Sequence, residues 1–174
     1  MYVDNHHELF SSEAGITLVL PNSKAHQRDA FVTSNFIAMD PPKHDVQRAT
    51  VSPAVAPSNL STLESTIRER AGALLHALPI GEDSDWVEAV SVELTTQMLA
   101  TLFDFPFQDR SKLTRWSDVA TAGPGNGISF EQRRTELLEC LEYFTGLWNE
   151  RVNEAPKGDL ISMLAHGKDT RNMA

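Results

Sequence analysis

The residues with the clearest chemistry lie in Asp40-Pro41-Pro42-Lys43-His44-Asp45-Val46-Gln47-Arg48. His44 and Arg48 are spaced i, i+4, so on a helix they stand one above the other. Arg donates through a rigid fork and His through a ring N–H, so the pair suits a small anion with at least two oxygens, such as a carboxylate; on the residues alone, a solvated helix face is the ordinary alternative. Asp40 is predicted to N-cap this helix, with Pro41 and Pro42 in its first turn, where a missing N–H costs nothing. The unpaired N–H groups of the helix start add positive potential. The helix is predicted to run from Pro42 to Val51 and to stop at Ser52-Pro53.

Other reactive residue types carry less. His6-His7-Glu8 are neighbours in sequence, and adjacent residues on a helix point about 100° apart, so they form no shared chelate. They read as a surface cluster. His26, His76 and His166 have no partner at ligand spacing, and there is no His-Glu-x-x-His, so no metal ligand is predicted. There is no Gly-x-Ser-x-Gly elbow. Gly123-Pro124-Gly125-Asn126-Gly127 lacks the Lys and Ser/Thr of a phosphate cradle and reads as a hinge between helices. Cys140, the single cysteine, sits inside a helical pattern and reads as a small buried hydrophobe.

The elements that would hold these residues are helical. Residues 1–8 are predicted to end a helix, with a brief extended piece at Leu9-Phe10-Ser11-Ser12. Residues 15–36 are turn-rich, and 53–58 are a linker. Ser61-Thr62-Leu63-Glu64 reads as a capping box, followed by Leu63, Ile67, Ala71, Leu74 and Leu78 at helical spacing. Trp86 to Phe103 is apolar over much of its circumference, as a central helix is. Gln108 to Ala120 forms another helix. Phe130 to Glu154 forms the strongest, with Leu137, Leu141, Phe144, Trp148 and Val152 on one stripe, and Asp159 caps a last short one. Trp86, Trp116 and Trp148 are all predicted to lie in the core. The fold class is mostly α.

Composition narrows the function classes. A formal charge of −9 over 174 residues argues against a general nucleic-acid or membrane-surface binder, both of which need basic faces. One cysteine excludes a disulfide framework and suits a reducing cytoplasm. No apolar run approaches membrane-spanning length, and residues 1–7 have no signal-peptide core.

Met39-Asp40-Pro41-Pro42-x-His44-x-x-x-Arg48 resembles the C-helix signature of the bacterial cytochromes P450, in which the His and Arg hold the haem propionates. Phe10-Ser11-Ser12 looks like that family's strand after helix B, and Gly158 to Leu164 like its helix H. The wording of Phe36–His44, Leu94–Pro106 and Leu138–Phe144 is similar to the branch that hydroxylates alkanes and fatty acids at the chain end. The resemblance covers essentially the whole chain. It implies one partial domain over 1–174, the N-terminal and central part of the cytochrome P450 fold. The family's Phe-x-x-Gly-x-x-x-Cys-x-Gly thiolate loop, its acid–Thr pair and its Glu-x-x-Arg are absent. The chain therefore reads as an internal piece, from about helix B to just before the oxygen-binding helix, without catalytic residues or an iron ligand of its own, and inactive alone.

For the parent enzyme the resemblance implies a cytoplasmic haem-thiolate monooxygenase. Its haem (iron protoporphyrin) would be anchored by His44 and Arg48. Its apolar small-molecule substrate would lie against Ile37, Val119 and Ala120. Residues 15–36 would be the B–C loop that roofs the pocket, and 123–127 the F–G loop. Electrons would come from a small acidic ferredoxin fed by an NADH-dependent ferredoxin reductase. Lys43 and Arg48 would be on its docking face, where Asp45 departs from a purely basic surface. The rival expectation is a complete, non-enzymatic helical ligand-binding or interaction domain.

Overall fold

The computed structural model describes residues 6–13, 36–122 and 127–172. Among these residues the regular structure is helical throughout, with no strand. Helix α1 spans Lys43–Val51, and a tight turn, Ser52–Val55, follows it with Pro53 at its start. Helices α2, Pro57–Thr62, and α3, Glu64–Ala77, come next. A π-helical stretch, Val87–Val92, leads into α4, Glu93–Phe103. Then come α5, Ser111–Thr121, α6, Phe130–Val152, and α7, Leu160–His166.

The core lies where α4, α5, α6 and α7 meet. Ala100, Phe105, Leu113, Trp116, Leu147 and Ile161 are buried together, with Tyr143 and Phe144 packed against them. The Phe105 ring stacks on Tyr143 at 4.9 Å and meets Trp116 edge-on, the geometries that aromatic quadrupoles favour. Phe105 reaches this position because α4 ends abruptly. Asp104 takes the left-handed conformation at φ 49, which Asp tolerates better than most residues. Arg151 holds it there, donating to the Asp104 carbonyl at 3.0 Å and to its carboxylate at 2.9 Å.

Arg151 is itself only 6% exposed. It sits between Asp104, Glu154 and Asp159, as a buried charge must. Asp159 caps α7 by accepting from the Ser162 N–H at 2.8 Å, as its position in the sequence predicts. Helix α1 docks on the end of α7 through a close approach at Gly167. A Cβ on that residue would lie 2.7 Å from the Thr50 methyl and 2.9 Å from the Met163 carbonyl.

Several expectations are corrected. Leu9 to Ser12 forms a turn and bend rather than an extended piece. Residues 53–58 are not a linker; they belong to the tight turn and to α2. The capping box does not form, because Ser61 lies inside α2 and donates to the Ser58 carbonyl, leaving α3 with no side-chain cap. Trp86 is 55% exposed rather than core. On α6, Leu137 is buried and Phe144 packs on the core as expected, but Leu141 and Val152 are exposed, while Leu147 and Arg151 are buried. Trp116 is core as expected, and Trp148 is partly buried.

Candidate functional site

Helix α1 buries none of its residues. One side of it instead lines a cavity of about 530 Å³. His44 and Arg48 face this cavity from successive turns, and Ile37 and Met39 line it from the chain just before the helix. Phe10, Ser12 and His7 close it from the N-terminal segment. Basic donors thus stand beside apolar side chains, with the Asp40 and Asp45 carboxylates on the same lining; such a mix of a few polar groups with apolar walls can orient a molecule that carries a carboxylate.

The electrostatics of the cavity are set by two acids. Asp45 accepts from His44 Nδ1 at 2.8 Å and so orients the ring. Asp40 does not cap α1, which has no side-chain cap. Its carboxylate accepts from Ser11 Oγ at 2.5 Å and from the Ser12 N–H at 3.0 Å, while its main-chain carbonyl accepts from the His44 N–H. The Ser11 hydroxyl above all, then the Ser12 N–H, hold the Asp40 carboxyl below its ordinary range, and His7 adds to this. Among the described residues no acceptor engages the Arg48 guanidinium, which therefore has its fork available for an anion.

The remaining predicted site residues lie elsewhere. Val119 is buried in the helix pack and Ala120 is exposed, both in the last turn of α5. Their carbonyls accept from Arg133, at 3.3 and 3.2 Å. Neither lines the cavity of Ile37, His44 and Arg48. The roofing segment 15–35, with Arg28, Phe31 and Val32, and positions 123–126 lie outside the described residues. Cys140 is half-buried, and burial pushes its thiol up from the ordinary value, which suits an inert packing residue. No group of three or more His, Cys, Asp or Glu that could hold a metal occurs among the described residues.

Sequence reasoning missed His7 and the tethering role of Asp40. No local signal marks either, since Ser11 and Ser12 meet Asp40 only through the fold. The donor set nonetheless fits haem: a cation and an oriented imidazole for propionates, and Phe10, Ile37 and Met39 for the edge of an apolar macrocycle.

No family model matches the chain. It is 30% identical to linalool 8-monooxygenase of Pseudomonas putida over 173 residues, which cover 96% of this chain and 40% of that enzyme. It is similar in structure to CYP153D17 from Sphingomonas sp. PAMC 26605, at 42% identity and a TM-score of 0.83, covering 99% of this chain and 43% of that one. The cytochrome P450-153 from Novosphingobium aromaticivorans matches at 39% identity and a TM-score of 0.80, with 100% and 43% coverage. The chain thus spans about two fifths of the length of the relatives it matches. On sequence and fold together, the chain belongs to the cytochrome P450 family, of which it represents a part.

Proposed function

We propose that this chain carries the propionate-anchoring part of a haem-dependent monooxygenase, and that the enzyme hydroxylates medium-chain alkanes or fatty acids at or near the chain end. The observation that carries this reading is the meeting of His44 and Arg48, one helical turn apart, in one cavity with an apolar wall. Haem is the cofactor of the family; when bound it supplies the oxygen chemistry, in which one atom of dioxygen enters a C–H bond and the other leaves as water at the expense of two electrons and two protons. The residues of this chain bind and orient. Arg48 would clamp a propionate with its fork, and His44, held by Asp45, would donate a second bond. Ile37 would exclude water from the haem edge. Val119 and Ala120 remain proposed walls of the substrate pocket, reached from the end of α5.

The alkane and fatty-acid assignment draws support from the likeness to the two cytochromes P450 of the 153 series. A cytochrome P450 solved with myristic acid, the myxobacterial CYP267B1, matches at 28% identity and a TM-score of 0.70. Relatives named for linalool and for steroids also match, so substrate shape must be tested directly. Electrons would come from a ferredoxin and its NADH-dependent reductase, docking near Lys43 and Arg48, in the cytoplasm. No described helix is long and apolar enough to cross a membrane.

The test is reconstitution of the full-length protein with a ferredoxin, its reductase and NADH, offered octane, dodecanoic acid and a bulky terpene. Terminal alcohols from the first two are expected. Turnover of the terpene alone would overturn the substrate class, and a full-length protein that takes up no haem would overturn the reading itself.

A further inference from the structure

His7 lines the same cavity as His44 and Arg48, and it gets there through a specific device. The segment 6–13 has no helix or strand of its own. Two backbone bonds, from the Leu9 and Phe10 N–H groups to the His6 carbonyl, each 2.9 Å, curl it into a single turn. What fixes that turn against the start of α1 is Asp40. One carboxylate oxygen takes the Ser11 hydroxyl at 2.5 Å and the other takes the Ser12 N–H at 3.0 Å. Two bonds to two consecutive residues set both the position and the orientation of the segment, and bonds to an ionised acceptor are the stronger kind. His7 and Phe10 are thereby presented to the cavity. His7 also lies close enough to Asp40 for its charge to favour the ionised carboxylate.

Resting on the haem reading above, we infer that His7 is a third donor to the propionate end of the haem, and that Asp40 is the positioning residue that keeps it there. His44 and Arg48 occupy one helix face, so they approach a bound carboxylate from the same side. A propionate pair has more acceptor oxygens than that face satisfies, and His7, carried by a separate segment that lines the same cavity, supplies a further N–H. Glu8, 3.7 Å from the His7 ring, and Asp40 are its acidic neighbours. Because side chain and cavity rim are open to solvent, the contribution is smaller than that of a buried donor.

The experiment uses the full-length holoprotein and two readouts, the rate of haem transfer to an excess of apomyoglobin and the propionate bending bands in resonance Raman. His7→Ala and His7→Phe are expected to release haem about fivefold faster and to shift a propionate band. His7→Gln, which keeps an N–H donor, is expected to recover most of the wild-type rate. Asp40→Asn is expected to mimic His7→Ala, with the double variant no worse than either alone. If His7→Ala and His7→Phe keep the wild-type rate and bands while Arg48→Ala loses haem faster, the assignment of His7 falls and the haem reading stands. If Arg48→Ala and His44→Ala are also without effect, both fall. A His7→Gln rate as fast as His7→Ala would likewise remove the donor role.

Discussion

Asp45 accepts from His44 Nδ1 at 2.8 Å, which orients the ring so that Nε2 is the atom that would meet a propionate. Arg48→Ala and His44→Ala are each expected to weaken haem retention by about 1.5–3 kcal/mol, measured by haem transfer to an acceptor protein. In a double-mutant cycle, Asp45→Asn should reduce the further loss caused by His44→Ala; strict additivity would show that Asp45 does not set the role of His44. A second residue-scale expectation concerns Tyr143. Burial first, and then the hydrogen bond it donates to Asp109 at 2.7 Å, push its hydroxyl up to about 12. Its folded-state value is raised, so its contribution to stability is complete below the ordinary tyrosine value and is lost as pH rises through the folded one. Phenolate absorbance should show one tyrosine titrating near the top of that window, and Asp109→Asn should bring it down.

Among elements, the seat of α1 and the end of α4 are the points most open to test. Gly167→Ala forces a Cβ against the Thr50 methyl and the Met163 carbonyl, so it should cost about 1–3 kcal/mol by overpacking and loosen α1 and the cavity with it. Urea unfolding and haem transfer should respond together; a stable variant that retains haem would show that α1 does not depend on this contact. Arg151→Ala leaves Asp159 and the Asp104 turn without their cation and should cost about 3–5 kcal/mol, whereas Arg151→Met should cost clearly less. Helix existence was legible from apolar spacing over Ser111–Thr121 and Phe130–Val152, and the Asp159 cap from its place before Leu160. The burial of Arg151 on α6 was not, because periodicity counts apolar residues and this charge is compensated by Asp104 from another helix end as well as by Glu154 and Asp159. The site pair His44 and Arg48 was legible from one short motif, since both lie on one helix. Asp40 was misread for the converse reason: a good N-cap residue found better donors in a segment that no local pattern connects to it.

The molecule as a whole leaves much apolar surface uncovered. Trp86, Val87, Leu138 and Leu141 are exposed, and Leu60, Ile67, Ala71 and Leu75 line an open groove along α2 and α3. Contiguous apolar surface of this kind promotes association. The 174-residue chain is expected to self-associate in sedimentation experiments despite its charge. On titration with haemin, reduction and addition of carbon monoxide, it should give no Soret band of thiolate type, because Cys140 is packed in α6 against the core; such a band would overturn the assignment. The wide turns at Val87–Val92 have a last consequence. A π-helical stretch holds about one residue more than an α-helix over the same span, so it resets the phase between what precedes it and α4. That explains why Trp86 points outward although the apolar pattern places it inside. It also makes this stretch a natural place for a one-residue gap between related chains: deleting Ser91 should restore ordinary α-geometry, leave Ala100 and Phe105 in register, and swing Trp86 by about 100°, a rotation that its fluorescence would report.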